Sequence, residues 1–144
     1  MKISALGRQF IKVEEGLRLS VYKDIVGKAT IGYGHLIKKG ETFSSISVEE
    51  AEELFDKDCA PIEVFLSTLI LTQEQFDALG DFCFNLGVHA LQASTLLNRV
   101  KEQDYPAIEH EFKRWCYADG KPNDALRARR EREVDIYMKG KYKV

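Results

Sequence analysis

Long apolar runs are what this chain most plainly lacks. None approaches the ~20 consecutive apolar residues that a membrane-spanning helix needs. The opening MKISALGRQFIKVEEG is too short and too interrupted in its apolar residues for a secretory signal, and reads as an amphipathic segment. The expectation is a protein made and held in the cytoplasm, without a stable membrane anchor. Cysteine is scarce as well: Cys59, Cys83 and Cys116 are odd in number, widely spaced and free of CxxC or Cys/His ligand spacing. That argues against a disulfide framework or a zinc site. Reduced, mostly buried thiols follow, with Cys83 in the core. An excess of positive charge is also absent. Lys and Arg number 21 against 23 Asp and Glu, a net charge of −2, which argues against a generic nucleic-acid binder. The acidic segment after Ser47 has no glycine-centred calcium loop, so it reads as exposed helix surface, and no metal is expected.

What is present suits one ordinary domain, or two lobes sharing a helix: 144 residues, 44% of them apolar. A monomer is the default expectation. The charge is uneven. Between Ser44 and Asn98 a single basic residue, Lys57, stands against ten acidic ones, while both flanking parts carry a basic excess. Flanks facing each other across a cleft would suit a polyanionic polymer.

The chemistry concentrates in Val13 to Leu36, VEEGLRLSVYKDIVGKATIGYGHL. Ile3, Leu6, Phe10, Ile11 and Val13 recur roughly at helical spacing, and Gly16 follows Glu15 as a C-terminal cap would. Glu15 is then expected at a helix end, where the negative end of the macrodipole disfavours its anion. Leu19, Val21 and Tyr22 suggest a short strand, Lys23 to Gly27 a turn, and Ala29 to Leu36 a second, glycine-broken strand. Asp24 would lie at the solvated loop edge and stay ionised. Two carboxyls held in environments that push their proton affinities apart are the mark of paired acid and base work.

EEGLRLSVYKD followed by TIGYGHL resembles the phage-type lysozymes, the muramidase endolysins of T-even and lambdoid phages. Their motif is a Glu, eight residues, an Asp or Cys, five residues and a Thr, a spacing that Glu15, Asp24 and Thr30 meet. The resemblance implies that Glu15 is the general acid, that Asp24 positions and activates the hydrolytic water, and that Thr30 holds it. The implied reaction is hydrolysis, with inversion, of the β-1,4 bond from N-acetylmuramic acid to N-acetylglucosamine in peptidoglycan, without a metal or organic cofactor. Some lambdoid relatives carry an N-terminal signal-anchor segment. This chain lacks one, which implies a holin as the partner that releases it from the host cytoplasm to the cell wall.

Downstream, Ser47 with Glu50, and Thr72 with Gln75, form the capping boxes of two helices. In the first, Ala51, Leu54, Phe55 and Cys59 mark an apolar face and Asp56 and Asp58 the wet one, with Pro61 interrupting or kinking rather than ending it. In the second, Phe76, Leu79, Phe82, Cys83 and Leu86 mark the central buried helix. Its closing Phe84-Asn85-Leu86-Gly87 and the following Ser94 to Leu97 are similar to the family's FNxG and STLL elements. Asn85 is a candidate to face a sugar or to cap the helix end, and Phe84 to line the site or to pack. Asp104-Tyr105-Pro106 opens a further helix, whose Trp115 reads as core. Lys113-Arg114-Trp115 resembles the KRW-like element near the far wall of the cleft. At Ala118 to Pro122 the chain departs from the lambdoid glycine-rich turn, with Asp119 and Ala125 where glycines stand. In related lysozymes an arginine of the last helix pairs with the catalytic Glu, and Arg129 is the first choice here, Arg127 the second.

The fold expected is α+β and mainly α: a small β-hairpin lobe over 14–46, a connecting helix over 47–70, and a helical lobe of 71–144 plus the N-terminal helix. Leu36, Phe84, Asn85 and Arg114 are the substrate-binding candidates, and His35, with the arginine, is expected to support the site structurally. Two rival readings remain. A lytic transglycosylase needs the Glu but not the water-holding Asp and Thr, and a catalytically silent muramidase fold would serve as a wall-binding or scaffolding module.

Overall fold

The structure, a computed structural model, describes residues 1–143. Helix α1 (Ala5–Glu15) is capped by Ser4, whose Oγ accepts the Gly7 N–H. Its buried face is Gly7, Phe10 and Ile11, with Ile3 buried just before the cap, whereas Leu6 and Val13 point outward, 63% and 47% exposed. Gly7 explains the choice of face. A Cβ there would lie 2.6 Å from the Asp77 Cγ, so only glycine lets α1 come this close to α3.

The chain then makes β1 (Arg18–Lys23), β2 (Ala29–Gly32) and β3 (His35–Leu36), an antiparallel meander in the order β1-β2-β3. Tyr22 pairs with Thr30, and Thr30 with Leu36. The expected hairpin is therefore a three-stranded sheet: the glycine-broken second strand reverses at Tyr33-Gly34 instead of running on. Ile31, Ile46 and Ala51 form its small core.

Helix α2 (Val48–Leu66) leads away from the sheet, with the Ser47/Glu50 capping box formed and Pro61 inside one continuous helix. Pro61 withholds a donor from the carbonyl of Lys57, an exposed residue that water can serve. The helix stops at Leu66, short of the expected residue 70. Helix α3 (Gln73–Leu86) starts at the Thr72/Gln75 box, and Phe76 through Cys83 are all buried. Against it pack α1, α2, α4 (Val88–Gln92) and α7 (Asp124–Lys139), while α5 (Thr95–Glu102) packs on α6 (Tyr105–Lys113), which packs on α7 and brings Phe112 to Phe82. Phe10, Phe55, Phe76, Phe82 and Phe112 fill this large core, and the three cysteines are free and buried.

Between α6 and α7, β4 (Tyr117–Ala118) pairs with β5 (Lys121–Pro122). Asp119 (φ 50°) and Gly120 (φ 72°) both take left-handed backbone, as a two-residue hairpin loop requires. Asp tolerates this conformation, so the turn survives the departure from the glycine-rich pattern.

One buried polar node ties the chain ends to the core. The carboxylate of Asp77, 1% exposed, accepts the Ser4 N–H (2.9 Å), the Ser4 hydroxyl, the Gln73 amide (2.9 Å) and the Tyr142 hydroxyl (2.6 Å). A carboxylate this buried is tolerable because its oxygens are satisfied.

Candidate active site

Glu15 is the last residue of α1, and Gly16 (φ 73°) turns the chain there into β1. The carboxyl thus projects at the junction of sheet and helices. Asp24 lies in the β1–β2 turn, where its Oδ1 accepts the N–H groups of Val26 (3.0 Å) and Lys28 (2.8 Å). The loop's own backbone therefore fixes that carboxylate. Thr30 is buried on β2 and its Oγ1 donates to the Lys28 carbonyl at 2.9 Å, which leaves the oxygen's lone pairs able to accept.

Glu15, Asp24 and Thr30 line one cleft of about 720 Å³, together with Leu36, Phe84 and Asn85. Leu36 is 46% exposed at its edge. Phe84 both lines and packs, with its ring 5.2 Å from that of Phe55. The side-chain oxygen of Asn85 accepts from Arg130 Nη2 at 2.6 Å, and the helix end is capped by Gly87 instead. Arg114 is not in this cleft. It pairs with Glu111 at 2.8 Å and lines an adjoining cavity of about 460 Å³ with Trp115, the two spaces meeting at Leu86 and Tyr117. Trp115 is half-buried, edge-on to Phe82 at 5.5 Å.

The side chain of Glu15 is 16% exposed, with Oε2 2.7 Å from Arg129 Nη2. Its pKa is raised: burial is the largest cause, Arg129 opposes it, and the charges of Asp81 and Glu14 add to it. The direction is the one expected, with desolvation as its largest cause. Gly34 closes over this carboxyl. A Cβ at Gly34 would lie 2.4 Å from Glu15 Oε1, and its φ of 73° disfavours any side chain.

Of the two arginine choices, Arg129 reaches Glu15, and Arg127 does not. Arg127 is exposed, its nearest carboxylate that of Asp124 at 3.9 Å. His35 is 4% exposed, with Nδ1 2.8 Å from Asp58 and Nε2 3.0 Å from Glu41. Asp58 thus does not belong to the wet face of α2: β3 covers it. Burial raises its pKa, and the hydrogen bond from His35 opposes the rise. Glu41 is lowered by the Lys38 N–H and by His35.

The sequence reading missed Asp81, which takes the Arg129 fork at 2.7 and 2.9 Å, and the buried pair Arg130 and Glu133. The available signal was the interruption of the apolar run of α3 by Asp77 and Asp81, four residues apart on one face. Among the described residues no group of three or more His, Cys, Asp or Glu is placed to hold a metal, and no helix is long and apolar enough to cross a membrane.

A sequence model of the family described as phage lysozyme matches residues 12–133. The endolysin of Salmonella phage P22 is 38% identical over 96% of this chain and 99% of its own length. The endolysin of Bacillus phage B103 is 36% identical over 99% of this chain, which spans only 56% of that longer protein. Among solved structures, the endolysin from Escherichia coli O157:H7 phage FAHEc1 superposes with a TM-score of 0.84 at 31% identity, covering 100% of this chain and 98% of the other.

Proposed function

The chain belongs to the phage lysozyme family, and from that premise we infer that it is an endolysin: a glycoside hydrolase cleaving the β-1,4 bond between N-acetylmuramic acid and N-acetylglucosamine in bacterial peptidoglycan. The observation that carries this reading is a desolvated Glu15, with raised proton affinity, in the same cleft as the backbone-fixed Asp24 and the hydroxyl of Thr30. Glu15 gives its proton to the glycosidic oxygen as the bond breaks. Asp24 and Thr30 orient a water and take its proton as it attacks the opposite face of the sugar, which inverts the anomeric carbon. No cofactor enters this scheme, because the acid and the base are both supplied by the chain.

Leu36, Phe84 and Asn85 contact the sugars, and His35 and Arg129 hold the walls in register. Arg114, in the adjoining cavity, contacts the polymer outside the reacting pair of sugars. The protein works as a monomer of two lobes. It waits in the host cytoplasm until a holin opens the membrane, and then reaches the wall.

Digestion of purified peptidoglycan with the parent and with Glu15→Gln tests this. The parent yields reducing muramic-acid ends by mass spectrometry, and the variant loses them by about 10³-fold, within the 10²–10⁴ range of a positioned acid. Anhydro-sugar ends would make the protein a transglycosylase. Tight wall binding by the parent without cleavage would make it a silent module.

A further inference from the structure

Asn85, near the end of α3, lines the cleft with a side chain that is held from behind. Its Oδ1 accepts from Arg130 Nη2 at 2.6 Å, and the same Nη2 donates to Glu133 Oε2 at 3.1 Å, so both protons of that nitrogen are engaged. The side chains of Arg130 and Glu133 have no exposed surface, and Glu133 Oε1 lies 2.9 Å from Arg130 Nε. The guanidinium also sits over the Phe82 ring, 5.3 Å from its centre. Arg130 is thus fixed by an ion pair, an aromatic face and the packing of α7 on α3, and Asn85 is fixed by Arg130.

An asparagine amide has an acceptor end and a donor end of nearly the same shape, and a half turn about its last side-chain bond exchanges them. An arginine carries donors only and stays charged in proteins. The atom that meets Arg130 is therefore the Asn85 oxygen, because a turned amide would set donor against donor with nothing to accept. The nitrogen is left at the other end. Among the described residues Nδ2 has no protein partner, and the buried side-chain atoms without one belong only to Arg130 and Glu133, so Nδ2 is open to solvent. In a residue that lines the cleft, this offers donors to whatever lies there.

A free amide adapts to its ligand by turning. This one does not, and its complement is a group that only accepts. A sugar hydroxyl would be served by either end of the amide and has no need of the lock. Ring and glycosidic oxygens accept weakly, whereas the carbonyl of the N-acetyl group is a strong acceptor carried by every sugar of a peptidoglycan strand.

We propose that Arg130 is a positioning residue that locks the Asn85 amide with its donors toward the cleft, and that the group those donors select is the carbonyl oxygen of an N-acetyl sugar. The proposal rests on the reading of this cleft as a glycan site. Arg130, fully buried, touches no sugar and acts through Asn85 alone.

The test compares the parent with Asn85→Asp, Asn85→Ala and Arg130→Lys on peptidoglycan glycan and on the same glycan after N-deacetylation. Asn85→Asp keeps the size of the side chain and an acceptor for Arg130, but turns an acceptor toward the cleft. On acetylated glycan its KM rises about 10-fold, the scale of a lost hydrogen bond with an unpaired polar group left in its place, and kcat is kept. On the deacetylated glycan, which carries ammonium groups, it binds at least as well as the parent. Arg130→Lys cannot serve Glu133 and Asn85 with the same planar fork, so the amide turns freely and KM rises by about 3-fold. On an Asn85→Ala background the same change raises KM no further. Equal losses by Asn85→Asp on both glycans would overturn the proposal, as would an Arg130→Lys effect that adds in full to Asn85→Ala.

Should Arg130→Lys not fold, nitrogen NMR of the guanidinium decides. Separate, slowly exchanging Nη2 protons in the parent that average out in Asn85→Ala show the lock, and averaged protons in the parent overturn it. Calorimetry of glycan binding keeps this apart from the hydrolase reading. A parent that binds with the stated discrimination yet cleaves nothing would sink the hydrolase and leave the lock standing.

Discussion

The two walls of the cleft are built by opposite means. Glu15 is backed by the large helical core and by buried charge, whereas Asp24 and Thr30 belong to a sheet whose own core is Ile31, Ile46 and Ala51. The wall at Glu15 is dry, and desolvation there raises the proton affinity of the carboxyl. On the opposite wall Asp24 is half-buried in its turn and Thr30 is buried on β2. Its alignment comes from local hydrogen bonds at Asp24 and Thr30, and from the His35 bridge to Asp58 on α2. A thin sheet that cannot bury much surface is tied to the rest by polar contacts, and those are the contacts most open to attack.

Short of replacing Glu15 itself, the most damaging single change to this arrangement is Gly34→Ala. It pushes a methyl into Glu15 and strains the left-handed backbone, and it is expected to cost about 10²-fold in kcat/KM, as a misplaced catalytic group does; steady-state assays on wall fragments read this directly. Asp58→Asn strikes the other wall. Loss of a partly buried, charge-assisted hydrogen bond costs about 2 kcal/mol, measured by denaturant unfolding. Hydrogen exchange should show the loss first in the amides of β1 to β3, with α3 still protected. Equal loss in both regions would erase the distinction between the walls.

Glu15 adds a pH signature. Its folded pKa is raised, so the folded state binds more protons than the unfolded one. Its contribution to stability is present below the ordinary glutamate pKa and is lost as pH rises through the folded value. That loss grows no faster than about 1.4 kcal/mol per pH unit. Cleavage falls over the same rise in pH, and Glu15→Gln should abolish the stability slope. Arg127→Ala is the smallest change, within about 0.5 kcal/mol and without effect on rate. A large effect would return Arg127 to the site.

Glu15, Asp24 and Thr30 were legible because they are local: one helix end, one turn and one strand carry all three within 16 residues. Arg129 was reachable only through resemblance, and its confusion with Arg127 has a geometric origin. Residues two apart on a helix point about 200° apart, so one faces the core and the other water, and spacing alone does not say which. Asp56 and Asp58 repeat the problem on α2, where β3 covers only one of them. Asp81 shows in the sequence as a break in the apolar run of α3, but its role was illegible because its partner Arg129 lies 48 residues downstream and no cap signal points to it. The reversal at Tyr33-Gly34 was read as an interruption because a glycine announces a bend without giving its angle.

The Asp77 node has a mechanical meaning. Ser4 and Tyr142, close to the two chain ends, bind the same carboxylate. Force applied between the ends would load that junction and the docking of α1 and α7, while the sheet, looped out between α1 and α2, lies off the load path. A molecule stretched between its ends should therefore yield first at Asp77 and in its helical half, with the turn that carries Asp24 the last part to feel tension.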